Sequence, residues 1–165
     1  MDDKAKASAL ATNPTSVERV SDHELVVTRR FDVPVDRVFA AWTTAALFMQ
    51  WWAPKSMGMA LRACEMDVRP GGGYELDFGP DETNPMVFFG TYTDVIPNAR
   101  LVWSNDEDAA GAVTTVSFTA DGDTTLLTYS ERYPTRAGLE EAFEGSACAM
   151  PEQFEQLDAL LATTG

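Results

Sequence analysis

The sequence predicts an α+β domain in which a curved antiparallel sheet of about six strands wraps around a long C-terminal helix, with two short helices after the first strand. Two observations predict this class. Apolar and polar residues alternate through most of the region 60–132, as they do in half-buried strands. In the region 139–161 apolar residues recur at steps of three and four, as they do on one face of a helix.

The first strand and the two short helices occupy the region 23–54. Apolar and β-branched residues predict a strand over 23–31, and Pro34 follows it at a position suited to the first turn of a helix. A second short helix is predicted over 45–51, before Pro54. The first helix is indicated by an apolar stripe made of Val35, Val38, Phe39 and Trp42.

Turn residues divide the rest of the sheet. The segment 69–73 contains three consecutive glycines, and because no Lys-Ser or Lys-Thr follows them, it indicates a turn rather than a phosphate-binding loop. Pro97-Asn98 marks a second turn, and Asp121-Gly122 marks a hairpin. The acidic segment 105–108 is predicted to be a solvated loop. The predicted strands are 60–68, 74–78, 86–96, 101–103, 113–120 and 124–132.

The C-terminal segment predicts the longest helix. Only Pro151 interrupts its pattern, and a proline inside a helix costs about 3 kcal/mol, so a kink or an interruption is expected near 147–151. The apolar stripe of this helix consists of Leu139, Phe143, Ala147, Met150, Phe154, Leu157 and Leu161.

Length and composition limit the organisation of the chain. Residues 1–20 are rich in Ala, Ser and Thr and are predicted to be a flexible tail, followed by a single domain over 21–165. At 165 residues a domain buries enough surface to need no disulfide or metal. No run of about 18 apolar residues and no secretory signal is present, so a cytoplasmic protein is expected.

The charge and the rare residue types exclude several function classes. A net charge of −14 opposes binding to nucleic acid or to anionic membranes. The chain has one histidine, His23, and two cysteines, Cys64 and Cys148, which are expected to be reduced, buried thiols. One histidine and two cysteines are too few ligands for the usual metal clusters, and no cofactor motif is visible. Neither a metal nor a cofactor is therefore expected.

Several short motifs occur in a characteristic order: FDVP at 31–34, VFAAWT at 38–43, WWAPK at 51–55, CEMDVRPGG at 64–72, GTY at 90–92, VIP at 95–97 and RLV at 100–102. Together they resemble the heat-shock-protein-ninety ATPase activator-homologue family of the SRPBCC, or START-like, superfamily, and the resemblance covers about residues 24–162. The resemblance implies a helix-grip fold with an apolar cavity between the sheet and the last helix. Where many relatives have Gly-Trp in that helix, this chain has Ala149-Met150-Pro151, so the shape of the cavity there does not carry over.

Inward-facing aromatic and apolar residues are therefore the candidate ligand contacts, with ordinary core packing as the alternative for each. Adjacent tryptophans cannot both point inward, so one of Trp51 and Trp52 is expected in the core and the other at the mouth of the cavity or in solvent. The candidates are Trp51, Trp52, Tyr74, Leu76, Phe88, Tyr92, Trp103, Phe118, Phe143 and Met150.

The sequence offers only weak candidates for catalytic residues, all of them carboxylates. Glu65 and Asp67 alternate with Met66, which places them on the outer face of a strand, where Arg69 or Arg62 can pair with them. Glu131, near the end of a later strand, is the third carboxylate considered for acid and base chemistry. No residue is assigned a catalytic role.

The function that best fits these observations is the binding of a hydrophobic or aromatic small molecule, either lipid-like or polyketide-like, in the cavity. Two alternatives remain open: a co-chaperone that regulates a heat-shock ATPase in the stress response, and a cyclase- or aromatase-type enzyme that uses the same cavity. A homodimer is also left open. No nucleic acid or membrane partner is expected.

Overall fold

The computed structural model describes residues 15–57, 61–79, 83–84, 86–106 and 111–163. The helices are α1 (Val35–Thr43), α2 (Ala45–Phe48) and α3 (Arg136–Thr163), with one 3-10 turn at Lys55–Met57. The strands are β1 (Ser16–Arg19), β2 (Glu24–Phe31), β3 (Ala63–Met66), β4 (Gly73–Asp77), β5 (Val87–Ile96), β6 (Arg100–Asn105), β7 (Val113–Asp121) and β8 (Thr124–Arg132).

The eight strands form one antiparallel sheet in the order β1-β2-β8-β7-β6-β5-β4-β3. Strands β3 to β8 pair with their neighbours in sequence, and β2 returns to pair with β8, with Val27 opposite Tyr129. The helices α1 and α2 lie in the connection from β2 to β3. The predicted α+β class and antiparallel sheet are confirmed, and the arrangement fits the helix-grip fold that the resemblance implies. The sheet has eight strands rather than about six.

One additional strand lies in the segment predicted to be a tail. Strand β1 pairs with β2, with Ser16 opposite Thr28. Near it, the buried guanidinium of Arg29 donates hydrogen bonds to the Thr15 hydroxyl and to Asp158 of α3, each at 3.1 Å. These contacts are non-local, so the polar composition of the segment does not indicate them. Residues 1–14 lie outside the described residues.

Helix α1 has the predicted apolar stripe, whereas helix α2 is shorter than predicted. Helix α1 buries Val38, Ala41 and Trp42, as its stripe requires. Helix α2 ends at Phe48 instead of continuing to 51, and turns carry the chain through Trp51 to the 3-10 turn. The chain therefore leaves helical geometry before the tryptophan pair.

Helix α3 runs unbroken through Pro151, so the expected interruption of this helix is absent. Met150 and Phe154 lie on either side of the proline in sequence and are both buried against the sheet. We attribute the continuity to this burial, which offsets the lost backbone hydrogen bond. Phe143 and Ala147, two positions of the predicted stripe, are only half-buried.

The turns follow the predicted chemistry. Gly71 and Gly122 adopt φ values of +89° and +62°, and Asn98 adopts +60°. These left-handed conformations suit glycine and asparagine and fix the three predicted turns. Of the predicted acidic loop, Asn105 closes β6 and Asp106 is exposed, whereas residues 107 and 108 lie outside the described residues.

The core lies between the concave face of the sheet and the helices. Leu25, Val27, Leu101, Val116 and Leu127 from the sheet are fully buried, and the helices supply Val38, Trp42, Leu139, Phe154 and Leu157. Within the described part of the chain, no helix is long and apolar enough to cross a membrane.

Candidate functional site

A cavity of about 260 Å³ lies between one half of the sheet and the segment that carries α1 and α2. Most of its wall is aromatic or apolar, as is usual for sites that bind small molecules. Its lining residues are Trp42, Phe48, Trp52, Met66, Tyr74, Leu76, Phe78, Phe88, Tyr92, Trp103, Asn105, Tyr129 and Glu131.

Six of the ten predicted ligand contacts lie in this wall: Trp52, Tyr74, Leu76, Phe88, Tyr92 and Trp103. The other four, Trp51, Phe118, Phe143 and Met150, lie elsewhere. Trp51, Phe118 and Met150 are buried in the core, and Phe143 is half-buried on α3. A role in ligand binding stays a prediction for the six.

The position of the cavity differs from the expectation in one respect. No described residue of α3 belongs to its wall, although the expected cavity lay between the sheet and this helix. Phe154 of α3 instead packs edge-on against Tyr129 and Phe31, at centroid distances of 6.4 and 6.1 Å. Because the helix contacts the β2–β8 side of the sheet directly, the open volume is displaced toward β3–β6.

The adjacent tryptophans divide as expected. Trp51 is fully buried, and its Nε1 donates a hydrogen bond of 3.0 Å to the Ala41 carbonyl oxygen. Trp52 is half-buried, lines the cavity and stacks on Phe48 at a centroid distance of 4.8 Å. One ring therefore holds the core together, and the other forms part of the cavity wall.

Trp42 lies at the centre of the aromatic cluster around the cavity. The centroid of its ring lies 4.7 Å from the ring centroid of Trp51 and 6.0 Å from that of Trp52. The ring centroids of Trp103 and Tyr129 both lie 6.1 Å away. The ring is 1% exposed, and its Nε1 has no hydrogen-bond partner within the described part of the chain. An unpaired buried donor is uncommon, because losing water without a replacement partner costs about 1–3 kcal/mol.

The polar side of the cavity wall is centred on Glu131. Its carboxylate accepts hydrogen bonds from the hydroxyls of Tyr129 at 2.7 Å, Tyr133 at 2.8 Å and Thr114 at 3.3 Å. Strand alternation places Tyr129, Glu131 and Tyr133 on the same side of the chain. Among the described residues of the wall, Glu131 therefore supplies one acidic group and the others are uncharged.

Asn105 extends this polar network. Its Oδ1 accepts a hydrogen bond of 3.0 Å from the Tyr74 hydroxyl. Its Nδ2 donates to the Ala112 carbonyl oxygen at 2.7 Å and to the Thr114 hydroxyl at 3.3 Å. Since Thr114 donates onward to Glu131, the network links four strands, β4, β6, β7 and β8, from Tyr74 to the carboxylate.

The network changes the acidity of its tyrosines. Burial raises the pKa of Tyr129 well above its usual value, and the neighbouring Glu131 carboxylate raises it further. The same two causes raise the pKa of Tyr133. Burial also raises the pKa of Tyr92 in the cavity wall. These three phenols consequently stay protonated at neutral pH and act as neutral hydrogen-bond donors or apolar surfaces.

The segment that carries Trp52 is fastened to α3 by polar contacts. Gln156 Nε2 donates hydrogen bonds of 2.9 Å to the carbonyl oxygens of Trp51 and Ala53. Glu152 accepts a hydrogen bond of 2.9 Å from the Ser56 amide and another from the Ser56 hydroxyl. These contacts fix the position of one cavity wall without placing α3 in that wall.

The open side of the cavity lies where β5 begins. Phe88 lines the cavity yet is 41% exposed, and its ring packs edge-on against that of Phe78 at 5.6 Å. Met86 and Val87, just before it, are also exposed. An apolar molecule approaching from solvent therefore meets apolar side chains first.

Sequence reasoning did not select several wall residues as ligand contacts, although a period of two could have found some of them. Asn105 shares the strand face of Trp103, and Glu131 shares that of Tyr129. Trp42, Phe48, Met66 and Phe78 carry no local signal, because their presence in the wall depends on how the helices sit over the sheet.

The other candidate groups lie outside the cavity wall. Glu65 and Asp67 are exposed as expected, and Asp67 pairs with Arg69 at 2.9 Å. Arg62 pairs instead with Asp77 at 2.7 Å. No three His, Cys, Asp or Glu side chains among the described residues could together hold a metal ion.

The two cysteines differ in part from expectation. Cys64 is half-buried, and burial raises the pKa of its thiol to about 11, so it is not a nucleophile at neutral pH. Cys148 is exposed on α3 rather than buried, because its position points away from the apolar stripe. His23 is half-buried and contacts the Tyr133 carbonyl oxygen at 3.2 Å.

Solved structures with similar folds come from several bacteria. Protein NE0264 from Nitrosomonas europaea is 21% identical and has a TM-score of 0.79 over 88% of this chain and 98% of that chain. A protein from Rhodobacter sphaeroides is 21% identical, with a TM-score of 0.82 over 92% of this chain and 99% of its own. Ms6760 from Mycobacterium smegmatis is 24% identical, with a TM-score of 0.74 over 92% of this chain and 100% of that chain.

At these identities the likeness shows the fold alone. No protein of curated function matches the chain. The model of the family described as activator of Hsp90 ATPase homolog 1-like protein matches residues 32–162, which include both short helices, strands β3–β8 and nearly all of α3. The protein therefore belongs to the family of activator of Hsp90 ATPase homolog 1-like proteins.

Proposed function

We propose that this protein binds a small hydrophobic or aromatic molecule in the cavity between β3–β6 and the segment carrying α1 and α2. The observation that carries the proposal is the cavity itself: about 260 Å³ enclosed mainly by aromatic rings, with exposed Phe88 at its open side. Binding of this kind suits a cytoplasmic carrier or sensor.

The size of the cavity limits the ligand. Sites for drug-sized molecules occupy about 300–1,000 Å³, so this cavity suits a compact molecule of two or three rings, or one short chain. Burial of about 200 Å² of apolar surface contributes roughly 5 kcal/mol before the costs of association. The dissociation constant expected for a two-ring probe is therefore on the order of 1 mM, because the costs of association offset part of this energy.

The test is a fluorescence titration with N-phenyl-1-naphthylamine, a neutral dye that brightens in apolar surroundings. The wild-type protein is expected to give a saturable increase. Trp52→Ala removes one ring from the wall and is expected to weaken binding about tenfold, since a lost aromatic contact is worth 1–2 kcal/mol.

The matched control is Phe143→Ala, which removes a half-buried aromatic ring from α3, outside the cavity wall. Its dye affinity is expected to stay within about twofold of wild type. Absence of any saturable signal with the wild-type protein, or equal losses in the two variants, would contradict binding in this cavity.

A second candidate function, regulation of a heat-shock ATPase, is favoured by the family match alone, because the family is named for activators of the Hsp90 ATPase. The acidic surface implied by a net charge of −14 suits a basic partner surface. Steady-state ATPase rates of a purified Hsp90-type chaperone, with and without a tenfold excess of this protein, test it. Unchanged rates together with no pull-down of the chaperone would remove this candidate.

A further inference from the structure

We infer that the cavity selects hydrophobic molecules that carry one positive charge, such as aromatic amines protonated at neutral pH. The inference rests on the proposed function and names the class of ligand. It comes from the electrostatics of the wall, whose described residues include one carboxylate, no basic group and several aromatic rings.

Among the thirteen described residues that line the cavity, only Glu131 is charged. Its carboxylate accepts hydrogen bonds from three neutral hydroxyls, on Tyr129, Tyr133 and Thr114. The three hydrogen bonds hold the carboxylate in place, and it brings a negative charge to the cavity wall.

That charge has no basic partner within the described part of the chain. The nearest arginine in sequence, Arg132, pairs with Glu24 at 3.5 Å. A partly buried carboxylate without a counter-charge is costly, and hydroxyl groups offset only part of the cost. A cationic ligand would supply the missing charge, whereas an anionic ligand such as a fatty acid would add a second negative charge.

The aromatic wall favours the same class. The faces of Trp42, Trp52, Trp103 and Tyr74 carry the negative part of the ring quadrupole, which attracts cations when the site is shielded from water. A bare metal ion is not favoured, since one carboxylate and one amide offer too few oxygen ligands for Mg²⁺ or Ca²⁺. An organic cation uses both the apolar wall and the carboxylate.

The charge of the whole chain acts in the same direction. A net charge of −14 raises the local concentration of cations and lowers that of anions near the protein. This long-range attraction does not depend on Glu131 alone, so a test must separate it from the contact inside the cavity. A charge change at an exposed site provides that separation.

The test compares three probes of similar size in calorimetric titrations. Naphthylethylamine is protonated at neutral pH, naphthylethanol is neutral, and the acetate probe, the anion of naphthaleneacetic acid, is negatively charged. The wild-type protein is expected to bind the amine about tenfold more tightly than the alcohol, and the acetate most weakly. Glu131→Gln is expected to reduce the amine affinity about tenfold and to leave the alcohol within about threefold.

Glu155→Gln is the matched control, because Glu155 is exposed on α3 and its substitution removes the same charge outside the cavity. It is expected to keep the tenfold preference for the amine. Equal binding of the three probes by wild type, or tightest binding of the acetate, would overturn the inference and leave the proposed function standing. Failure of all three probes to bind would remove both. If Glu131→Gln does not fold, the wild-type ranking is measured again at about 0.5 M salt, which screens the long-range attraction. A tenfold preference for the amine that persists there supports the inference, and its loss overturns it.

Discussion

The Tyr129 hydroxyl donates a hydrogen bond of 2.7 Å to Oε2 of Glu131, two residues further along β8. Strand alternation directs both side chains to the concave face, so the bond forms within one strand and needs no tertiary adjustment. Tyr129 also contacts Trp42 and Phe154 through its ring. A single side chain thereby joins the polar network to the aromatic core.

The first prediction concerns the alkaline titration of the tyrosines. Burial raises the pKa values of Tyr92, Tyr129 and Tyr133 above 10, so their protonated forms favour the folded state. This stabilisation is fully present below pH about 10 and is lost as the pH rises further. At pH about 11, absorbance at 295 nm is expected to show no more than one tyrosinate of the four tyrosines while the protein stays folded.

The unfolded protein in urea is the control for this titration, and all of its tyrosines are expected to ionise near pH 10. Two or more tyrosinates in the folded protein at pH about 11 would contradict the raised pKa values of the three buried tyrosines. Circular dichroism recorded on the same samples reports whether the fold is intact.

The second prediction separates Trp51 from Trp52. Trp51→Ala removes a fully buried ring and leaves the Ala41 carbonyl oxygen without its donor, so the free energy of unfolding is expected to fall by about 3–5 kcal/mol. Trp52 is only half-buried, and Trp52→Ala is expected to cost less than about half as much. Urea unfolding measures both, and equal losses would contradict this division of roles.

Sequence patterns predicted the parts of the fold whose signals are local. The alternation in β7 and β8, the hairpin at Asp121-Gly122 and the stripe of α1 all correspond to elements of the structure. Strand β1 gave no such signal, since four residues at a sheet edge are held by pairing with β2 rather than by their own propensity. Local patterns describe an element but not its neighbours.

The cavity wall shows the same limit more clearly. Alternation correctly directed Tyr74, Tyr92 and Trp103 inward. Alternation could not show that α3 packs against the β2–β8 side of the sheet. Because α3 packs there, the open volume lies beneath Trp42 and Phe48. Where two elements separate enough to leave a cavity depends on the summed packing of distant segments, which no window of sequence contains.

The third prediction concerns Gly90, which is needed for space rather than for its backbone conformation. A Cβ atom at this position would lie 1.8 Å from the Ser104 carbonyl oxygen and 2.6 Å from the Tyr74 hydroxyl oxygen. Gly90→Ala is therefore expected to destabilise the protein by about 3 kcal/mol or more. It should also displace Tyr74 from Asn105, which a change in the Tyr74 ring signals in NMR spectra would report.

Gly145→Ala is the matched control for Gly90→Ala. Gly145 lies in α3, and a Cβ atom there would have no neighbour within 4 Å. Alanine favours a helix interior over glycine by about 0.5–1 kcal/mol, so this variant is expected to be slightly more stable than wild type. Similar effects of the two substitutions would contradict the close approach at Gly90.

The fourth prediction concerns the pH dependence of the contact between Glu152 and Ser56. The hydroxyl and the amide of Ser56 both donate to the carboxylate, and these hydrogen bonds lower the pKa of Glu152 below its usual value. The resulting stabilisation is present above pH about 4.5 and is lost as the pH falls through the lowered pKa. Protonation of Glu152 therefore loosens the segment that carries Trp52.

The measurement compares the Tm of wild type with that of Glu152→Gln. The variant is expected to melt below wild type at pH about 6, and the difference is expected to disappear at pH about 3, because both proteins then carry an uncharged side chain at 152. Glu155→Gln, an exposed change on the same helix, is expected to show no such dependence. A difference that persists in acid would mean that the shape of the Glu152 side chain, and not its charge, fastens this wall of the cavity.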